Sequence, residues 1–591
     1  MSSKTKVYNF KLFKRLLNYI KSYRQIFVIS IISVFGLSVF GALRPVVLEK
    51  IVDENLTSSN YDFFLEYIIL MIILLVLEVI SNYSFIFNAG LLGQSVVKDI
   101  RVKLFDHIQD FKMKYYDKSS VGILITRTVT DMERIADIFG QGLFMIISDI
   151  LKMLIVAIVM IYMNWELSLI VFFSLPFILL ATKIFQKYMK LAFDEVRNEV
   201  ANLNSFVQER VTGMNVLQLF AREKIELEKF KKINERHKKA WLKTVWYNSI
   251  FFPIAEISIS ISVGLIVWYA GSNIIQLENF VSLGTIFLFI QLSQMLFRPL
   301  RQIADKFNTL QMGMVAAKRV FEILDSDYNI NDKGTLKNEE INGDIKFEKV
   351  YFSYVKNNNV LNDINLTIKK GEKIAIVGAT GSGKSTIIKL ILRLYDLENG
   401  EIKINNKNIK NYKLSDLRSS ISLVNQDIFM FADSIFKNIT LFNEKISKKE
   451  VEKAAKNIGV LEFINKLPGG LNYNVKERGV MLSEGQRQII SFLRAYVSKP
   501  NILILDEATS SIDSQTEELI QFATNKLIQN KTSIIIAHRL STIISADKII
   551  VMRSGKIIEI GSHSELITRK GYYKKLYEVQ FEKKDLFTEI F

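Results

Sequence analysis

Six apolar stretches constrain this chain of 591 residues more than any other feature. They fall at about 26–48, 63–87, 143–163, 167–182, 250–270 and 281–297. A helix needs about 20 apolar residues to cross the hydrocarbon core of a bilayer. Backbone polar groups find no water there, so an isolated run of this length spans as a helix. The first stretch is too long for the apolar region of a signal peptide, and no small-residue cleavage site follows it, so it is expected to stay as a span. The first half of the chain is therefore predicted to be an α-helical polytopic membrane domain with six transmembrane helices.

Orientation follows from the basic residues of the loops, which collect on the cytoplasmic side. Lys11, Lys14, Arg15, Lys21 and Arg24 precede the first run, while 53–62 has no base. The next connection carries Lys98, Arg101, Lys103, Lys112, Lys114, Lys118, Arg127 and Arg134, and the turn Asn164, Trp165, Glu166 again has none. The fourth connection, 183–243, is densely basic, and 272–280 is bare. Both termini are thus expected in the cytoplasm, with the chain multi-pass in a cell inner (plasma) membrane. A net charge of +17 could also suit a nucleic-acid partner. The alternation of basic and bare loops favours the membrane explanation, so no nucleic acid is expected. The chain has no cysteine, which excludes disulfides and thiolate metal sites. Its Lys, Asn, Ile and Phe richness with only six Pro resembles a bacterial coding bias. The two long connections keep helical apolar spacing and are predicted to extend the spans into the cytosol.

Charges inside a membrane are costly unless they pair or line a wet cavity. Glu78, Asp149, Lys152, Glu256 and Arg298 fall in or beside the runs, with Gln291 and Gln294 near the middle of the last. Most are expected to face an inward-open cavity, the alternative being structural pairing within the bundle, with Asp149 and Lys152 able to pair at i, i+3. The acids slightly outnumber the bases, which leans towards cationic substrates.

The apolar runs end before a polar linker, which gives domains at 1–325, 326–343 (linker) and 344–591. Beyond it, 345–354 and 374–377 have strand composition, and the second leads into Gly378, Ala379, Thr380, Gly381, Ser382, Gly383, Lys384, Ser385 and Thr386. This is a phosphate-binding loop with a strand before it and a helix after. The glycines let N–H groups close around phosphate, Lys384 adds a charge to the outer oxygens, and the Ser385 hydroxyl can ligate Mg²⁺. A second apolar strand, Ile502 to Leu505, ends in Asp506 and Glu507, placed for the Mg²⁺ shell and for the attacking water.

Leu482, Ser483, Glu484, Gly485 and Gln486 on the way to a helix, with Gln426 before and His538 after, resemble the ATP-binding cassette (ABC) family. The resemblance implies an α/β P-loop ATP-binding cassette domain after the membrane domain, the order of an ABC exporter half-transporter. It implies that Tyr354 stacks on adenine, that Gln426 senses and ligates Mg²⁺ and takes part in catalysis, and that Glu507 and His538 are catalytic. Ser483, Gly485 and Gln486 would contact ATP held by another cassette, and Ser511, Ile512 and Asp513 would cross the seam between cassettes. Glu477, Arg478 and Gly479 resemble a segment that touches the cytoplasmic loops, and 116–122 and 213–220 resemble the two short coupling helices. The cofactors implied are ATP and Mg²⁺, and the reaction is ATP hydrolysis coupled to export of a drug-like, lipid or other amphipathic substrate.

Position 484 carries Glu where the family has Gly. A carboxylate facing a partner-bound triphosphate would repel it, whereas one pointing outward at the helix N-terminus would be mildly favoured; on the first reading a heterodimer with a second ABC half-transporter is expected, with hydrolysis at Glu507 of this chain. The alternatives are a homodimeric lipid flippase-type exporter, or a membrane ATPase that regulates or gates without pumping.

Overall fold

The computed structural model describes residues 10–57, 63–275, 281–330, 332–337, 341–355, 357–506, 514–537 and 539–578. They form two compact units, one from Met1–Gln109 with Ser120–Asp327 and one from Asp110–Ser119 with Tyr328–Phe591.

The first unit is helical. Its elements are α1 (Phe10–Ile20), α2 (Arg24–Lys50) and α3 (Phe64–Gln109), and, past a short helix of the second unit, α4 (Met113–Lys118), α5 (Val121–Thr128) and α6 (Thr130–Asp137). Then come α7 (Phe144–Met163), α8 (Trp165–Thr212), α9 (Met214–Leu219), α10 (Glu223–Ile275) and α11 (Leu283–Leu324). Among the described residues six helical stretches are long and apolar enough to cross a bilayer, and each overlaps one predicted run. The helices outlast the apolar runs. The 46 residues of α3 extend about 69 Å, more than twice the roughly 30 Å of hydrocarbon. Polar side chains at the loop ends start the spans: the Asn164 carboxamide accepts from Leu167 N–H at 3.0 Å, and the Ser282 hydroxyl from Thr285 N–H at 3.0 Å.

Packing here reverses that of a water-soluble bundle. Leu65, Ile69, Ile72 and Ile73 of α3 are exposed, whereas Ser30, Ser38, Ser262 and Ser293 are fully buried. Ser30 and Ser38 satisfy themselves by donating to the carbonyls four residues back, at 2.9 Å each. Small residues permit close helix approach. A Cβ on Gly313 of α11 would lie 2.2 Å from Ile138 Cγ1 and 2.6 Å from the Arg134 carbonyl.

The charged groups pair across helices. Arg44 reaches Glu78 at 2.6 Å, and Lys306 on α11 bonds Asp149 on α7. Asp149 thus pairs with Lys306 and not with Lys152 as expected, because a bond between packed helices outweighs the few tenths of a kcal/mol of an i, i+3 pair.

The second unit is α/β. Its strands are β1 (Ile345–Val355), β2 (Asn358–Ile368), β3 (Lys373–Val377), β4 (Asn399–Ile404), β5 (Lys407–Asn408) and β6 (Ile421–Val424), then β7 (Ile502–Asp506), β8 (Thr532–Ile536), β9 (Lys548–Arg553) and β10 (Lys556–Gly561). A four-stranded antiparallel sheet has the order β2-β1-β4-β5, and a six-stranded sheet β10-β9-β3-β8-β7-β6. In the latter all neighbours from β9 to β6 are parallel, and β10 is antiparallel at the edge.

Both faces of the parallel strands are covered, which is why they read as unbroken apolar runs. Ile374, Ile376, Ile502, Ile504, Ile534 and Ile536 join one core with the antiparallel sheet and the helix α12 (Lys384–Ile391). The residues between them, Ala375, Leu503, Leu505 and Ile535, join another core with the helix Glu484–Val497. The polar stretch after α11 runs along this unit: Asp332 accepts from Leu414 N–H at 3.0 Å, and Thr335 N–H donates to the Asn411 carbonyl at 2.9 Å.

Candidate functional site

Four parallel strands, β3, β8, β7 and β6, lie side by side and end on the same edge of the sheet. The crevice beyond the carboxyl ends of such strands is where open α/β sheets bind ligands. There β3 delivers the loop 378–383, β7 ends on Asp506, β6 leads to the exposed Gln426, and β8 leads to Ala537. Glu507, Ser511, Ile512, Asp513 and His538 lie outside the described residues.

The loop has a shape only glycine permits at its two ends. Gly378 has φ of 156°, and a Cβ on it would lie 2.3 Å from the Met552 carbonyl. Gly383, with φ of 102°, opens α12, and its Cβ would meet Leu361 at 2.7 Å. The first N–H groups of a helix have no acceptor within it, so α12 presents donors and the positive end of its dipole to the loop. Lys384 is buried and donates to the carbonyls of Gly378 at 2.7 Å and Ala379 at 3.1 Å. Burial pushes its pKa below the ordinary lysine range, with the Asp506 carboxylate opposing. The Ser382 hydroxyl is buried without a hydrogen-bond partner. A cradle of N–H donors, a buried ammonium and an unsatisfied hydroxyl fits an anionic phosphate chain. The exposed Ser385, between buried Lys384 and Thr386 on the first turn of α12, and Asp506 supply hard oxygen donors of the kind that Mg²⁺ prefers.

Tyr354 on β1 is half-buried, with its hydroxyl 3.3 Å from the Thr386 hydroxyl of α12. Lys389, one turn further along α12, places its ammonium 5.5 Å from the Tyr354 ring centre. Behind Tyr354 stands Tyr395, whose hydroxyl donates to Asp117 of α4. Burial, and then that bond to Asp117, push the Tyr395 phenol above its ordinary range. Sequence reasoning missed Lys389 and Tyr395. The i+4 spacing of Lys389 from Ser385 could have signalled the first, and nothing local signals the second.

Ser483, Gly485 and Gln486 form the start of the helix Glu484–Val497. The Ser483 hydroxyl accepts from Gln486 N–H at 3.3 Å, and the Gln486 carboxamide accepts from Ser483 N–H at 3.0 Å, a reciprocal cap. Glu484 is exposed on the first turn, where the helix dipole favours a carboxylate. Arg494 of the same helix is half-buried and donates to carbonyls, of Asn438 at 2.9 Å and Phe429 at 3.4 Å. That ties the segment after Gln426 to the helix of Ser483. Among the described residues, no hydrogen bond or ion pair joins 482–486 to the phosphate loop.

Residues 27–300 match the family described as ABC transporter transmembrane region, and 361–510 match the family described as ABC transporter. The chain is 35% identical to the uncharacterized ABC transporter ATP-binding protein YknV of Bacillus subtilis, over 98% of this chain and 96% of that one. It is also 35% identical to the ATP-dependent lipid A-core flippase of Pseudoalteromonas translucida, over 97% of this chain and 98% of that protein. An ATP-dependent lipid A-core flippase 1 of Colwellia psychrerythraea is 33% identical, with 96% of each chain covered.

Proposed function

This chain belongs to the ABC transporter family as an exporter subunit that couples ATP hydrolysis to transport across a membrane, and we propose that its substrate is an amphiphile with an anionic headgroup. The observation behind this reading is a surplus of positive charge among the membrane helices. Lys152 is partly buried and within electrostatic reach of Glu78, Asp149, Arg44 and Arg298. Arg44 answers Glu78 and Lys306 answers Asp149, and counting Glu256 against Lys152 and Arg298 leaves one positive charge in excess among the described residues. The lean towards cations in the sequence count omitted Arg44 and Lys306. Two relatives are named for flipping a lipid, which supports an amphiphile over a small hydrophilic solute. Both termini are read as cytoplasmic from the basic loops.

In the nucleotide unit, the loop 378–386 with Lys384 would hold the triphosphate and Tyr354 the adenine. Ser385, Gln426 and Asp506 would hold Mg²⁺, which when bound offsets charge on the phosphates. Glu507 would orient and deprotonate the attacking water, and His538 would contact the terminal phosphate. Ser483, Gly485, Gln486 and Asp513 would act on ATP held by a second half-transporter, here proposed as a different chain.

The test is flipping in proteoliposomes with ATP as the only energy source. Labelled phosphatidylglycerol should be moved in preference to labelled phosphatidylcholine, and Lys152→Glu with Arg298→Glu should abolish the preference. Equal movement of both lipids, or a preference untouched by the double variant, refutes the proposed substrate class.

A further inference from the structure

The ring of Tyr354 is the first of a connected set. Tyr395 meets it edge-on, with centroids 5.1 Å apart and planes at 90°, and Phe352 lies T-shaped against Tyr354 at 4.9 Å and Tyr395 at 5.8 Å. Edge-to-face rings hold one another within a narrow range of geometry. Tyr395 is only 8% exposed, so close packing leaves its ring no room to absorb a displacement. Its one polar atom is fixed as well, by the charge-assisted bond to Asp117.

The next residue repeats the connection. Asp396 pairs with Lys112 at 3.0 Å. Lys112 immediately precedes α4 and Asp117 lies in its last turn, so two consecutive residues grip both ends of one short helix. The chain continues from α4 into α3 on one side and α5 on the other.

We propose that Tyr395 is a positioning residue that carries nucleotide occupancy from the ring of Tyr354 to Asp117, so that ATP binding reaches α4 before any bond is broken. The inference rests on the reading of Tyr354 as the adenine contact. A purine stacked on Tyr354 fixes that ring's plane, the edge contact passes the constraint to Tyr395, and the tethered hydroxyl passes it to the helix.

The experiment uses the full-length protein in nanodiscs, with ATP and EDTA so that binding occurs without turnover. Hydrogen exchange is followed in peptides covering 110–119, and ATP affinity is measured on the same samples. In the natural protein ATP should change exchange over 110–119. In Tyr395→Phe that change should shrink by about fivefold or more, while ATP affinity stays within about threefold, as expected for loss of coupling and not of binding. Asp117→Ala should behave alike, and Asp117→Asn, which keeps an acceptor oxygen, should restore part of the response. A merely structural bond would lower stability in all three variants without selectively removing the response to ATP.

The relay is refuted if ATP leaves 110–119 of the natural protein unchanged, or if Tyr395→Phe and Asp117→Ala keep the full response. Tyr354→Ala separates the two layers of the argument. If it leaves ATP affinity unchanged, the adenine reading fails and takes the relay with it. If it weakens binding while Tyr395→Phe still responds fully, the relay alone fails.

Discussion

Lys384, which opens α12 beyond β3, and Asp506, at the end of β7 on the far side of β8, are a buried ammonium and a carboxylate within electrostatic reach of each other, and between them the phosphate charge is proposed to sit. In the proposed mechanism neither takes a proton from water, and that task is assigned to Glu507. Glu507→Gln should keep ATP binding, because Lys384, Ser385 and Asp506 remain. It should lower steady-state hydrolysis by about 10² to 10⁴, the usual contribution of a positioned general base. Phosphate release and equilibrium ATP binding, measured side by side, check this, and unchanged turnover would remove Glu507 from the mechanism. At this scale the sequence was legible wherever chemistry forces a residue type into a fixed spacing. Gly378 and Gly383 are required by backbone shape, and Ser483 with Gln486 by the cap they build. Tyr395 and Asp117 were illegible because their bond spans 278 positions and either residue is ordinary in its own neighbourhood.

Helices and strands were legible to different depths. The buried strands announce themselves because β7 and β8 are covered on both faces, so each carries an uninterrupted apolar run, Ile502–Leu505 in β7 and Ile534–Ile536 in β8. The spans announce only the part that meets lipid. Apolarity stops near residue 87 while α3 continues to Gln109, since helix propensity and hydropathy are separate properties. The pairing of Asp149 with Lys306 depends on how α7 and α11 pack, which no local pattern encodes. That packing makes its own demand at Gly313. Gly313→Ala should destabilise the membrane unit by about 1 to 3 kcal/mol, the cost of an added methyl in a closed contact. Gly264→Ala, where a Cβ meets nothing within 4 Å, should be neutral. Thermal unfolding of both in the same detergent decides it, and equal midpoints would mean that the contact yields freely.

The whole exporter requires a second chain, because one chain carries one phosphate loop and one signature segment. If Glu484 faces the phosphate held by that chain, as proposed, it bears on which second chain is suitable. At 4 Å a carboxylate and a phosphate charge repel by about 1 kcal/mol in water and about 4 kcal/mol in a drier seam. The helix dipole returns only about 0.3 to 1 kcal/mol, so repulsion wins once the seam closes. A homodimer would meet it at both sites, a heterodimer at one. Expressed alone, this chain should assemble poorly and hydrolyse ATP well below the rate seen with its partner, by size exclusion and ATPase assay. A stable, fully active homodimer refutes the heterodimer, and Glu484→Gly should then alter turnover at both sites.

The segment Asp110–Ser119 belongs to the body completed hundreds of residues later. Lys112 and Asp117 are synthesised long before Asp396 and Tyr395, and wait without their partners while four more spans are inserted. Biogenesis therefore cannot proceed as one finished module after another. A gene fusion made at the polar stretch after α11 would carry Tyr395 into a host whose early loop has no matching acid, so the recombination units of this protein are set by α4 as well as by the linker.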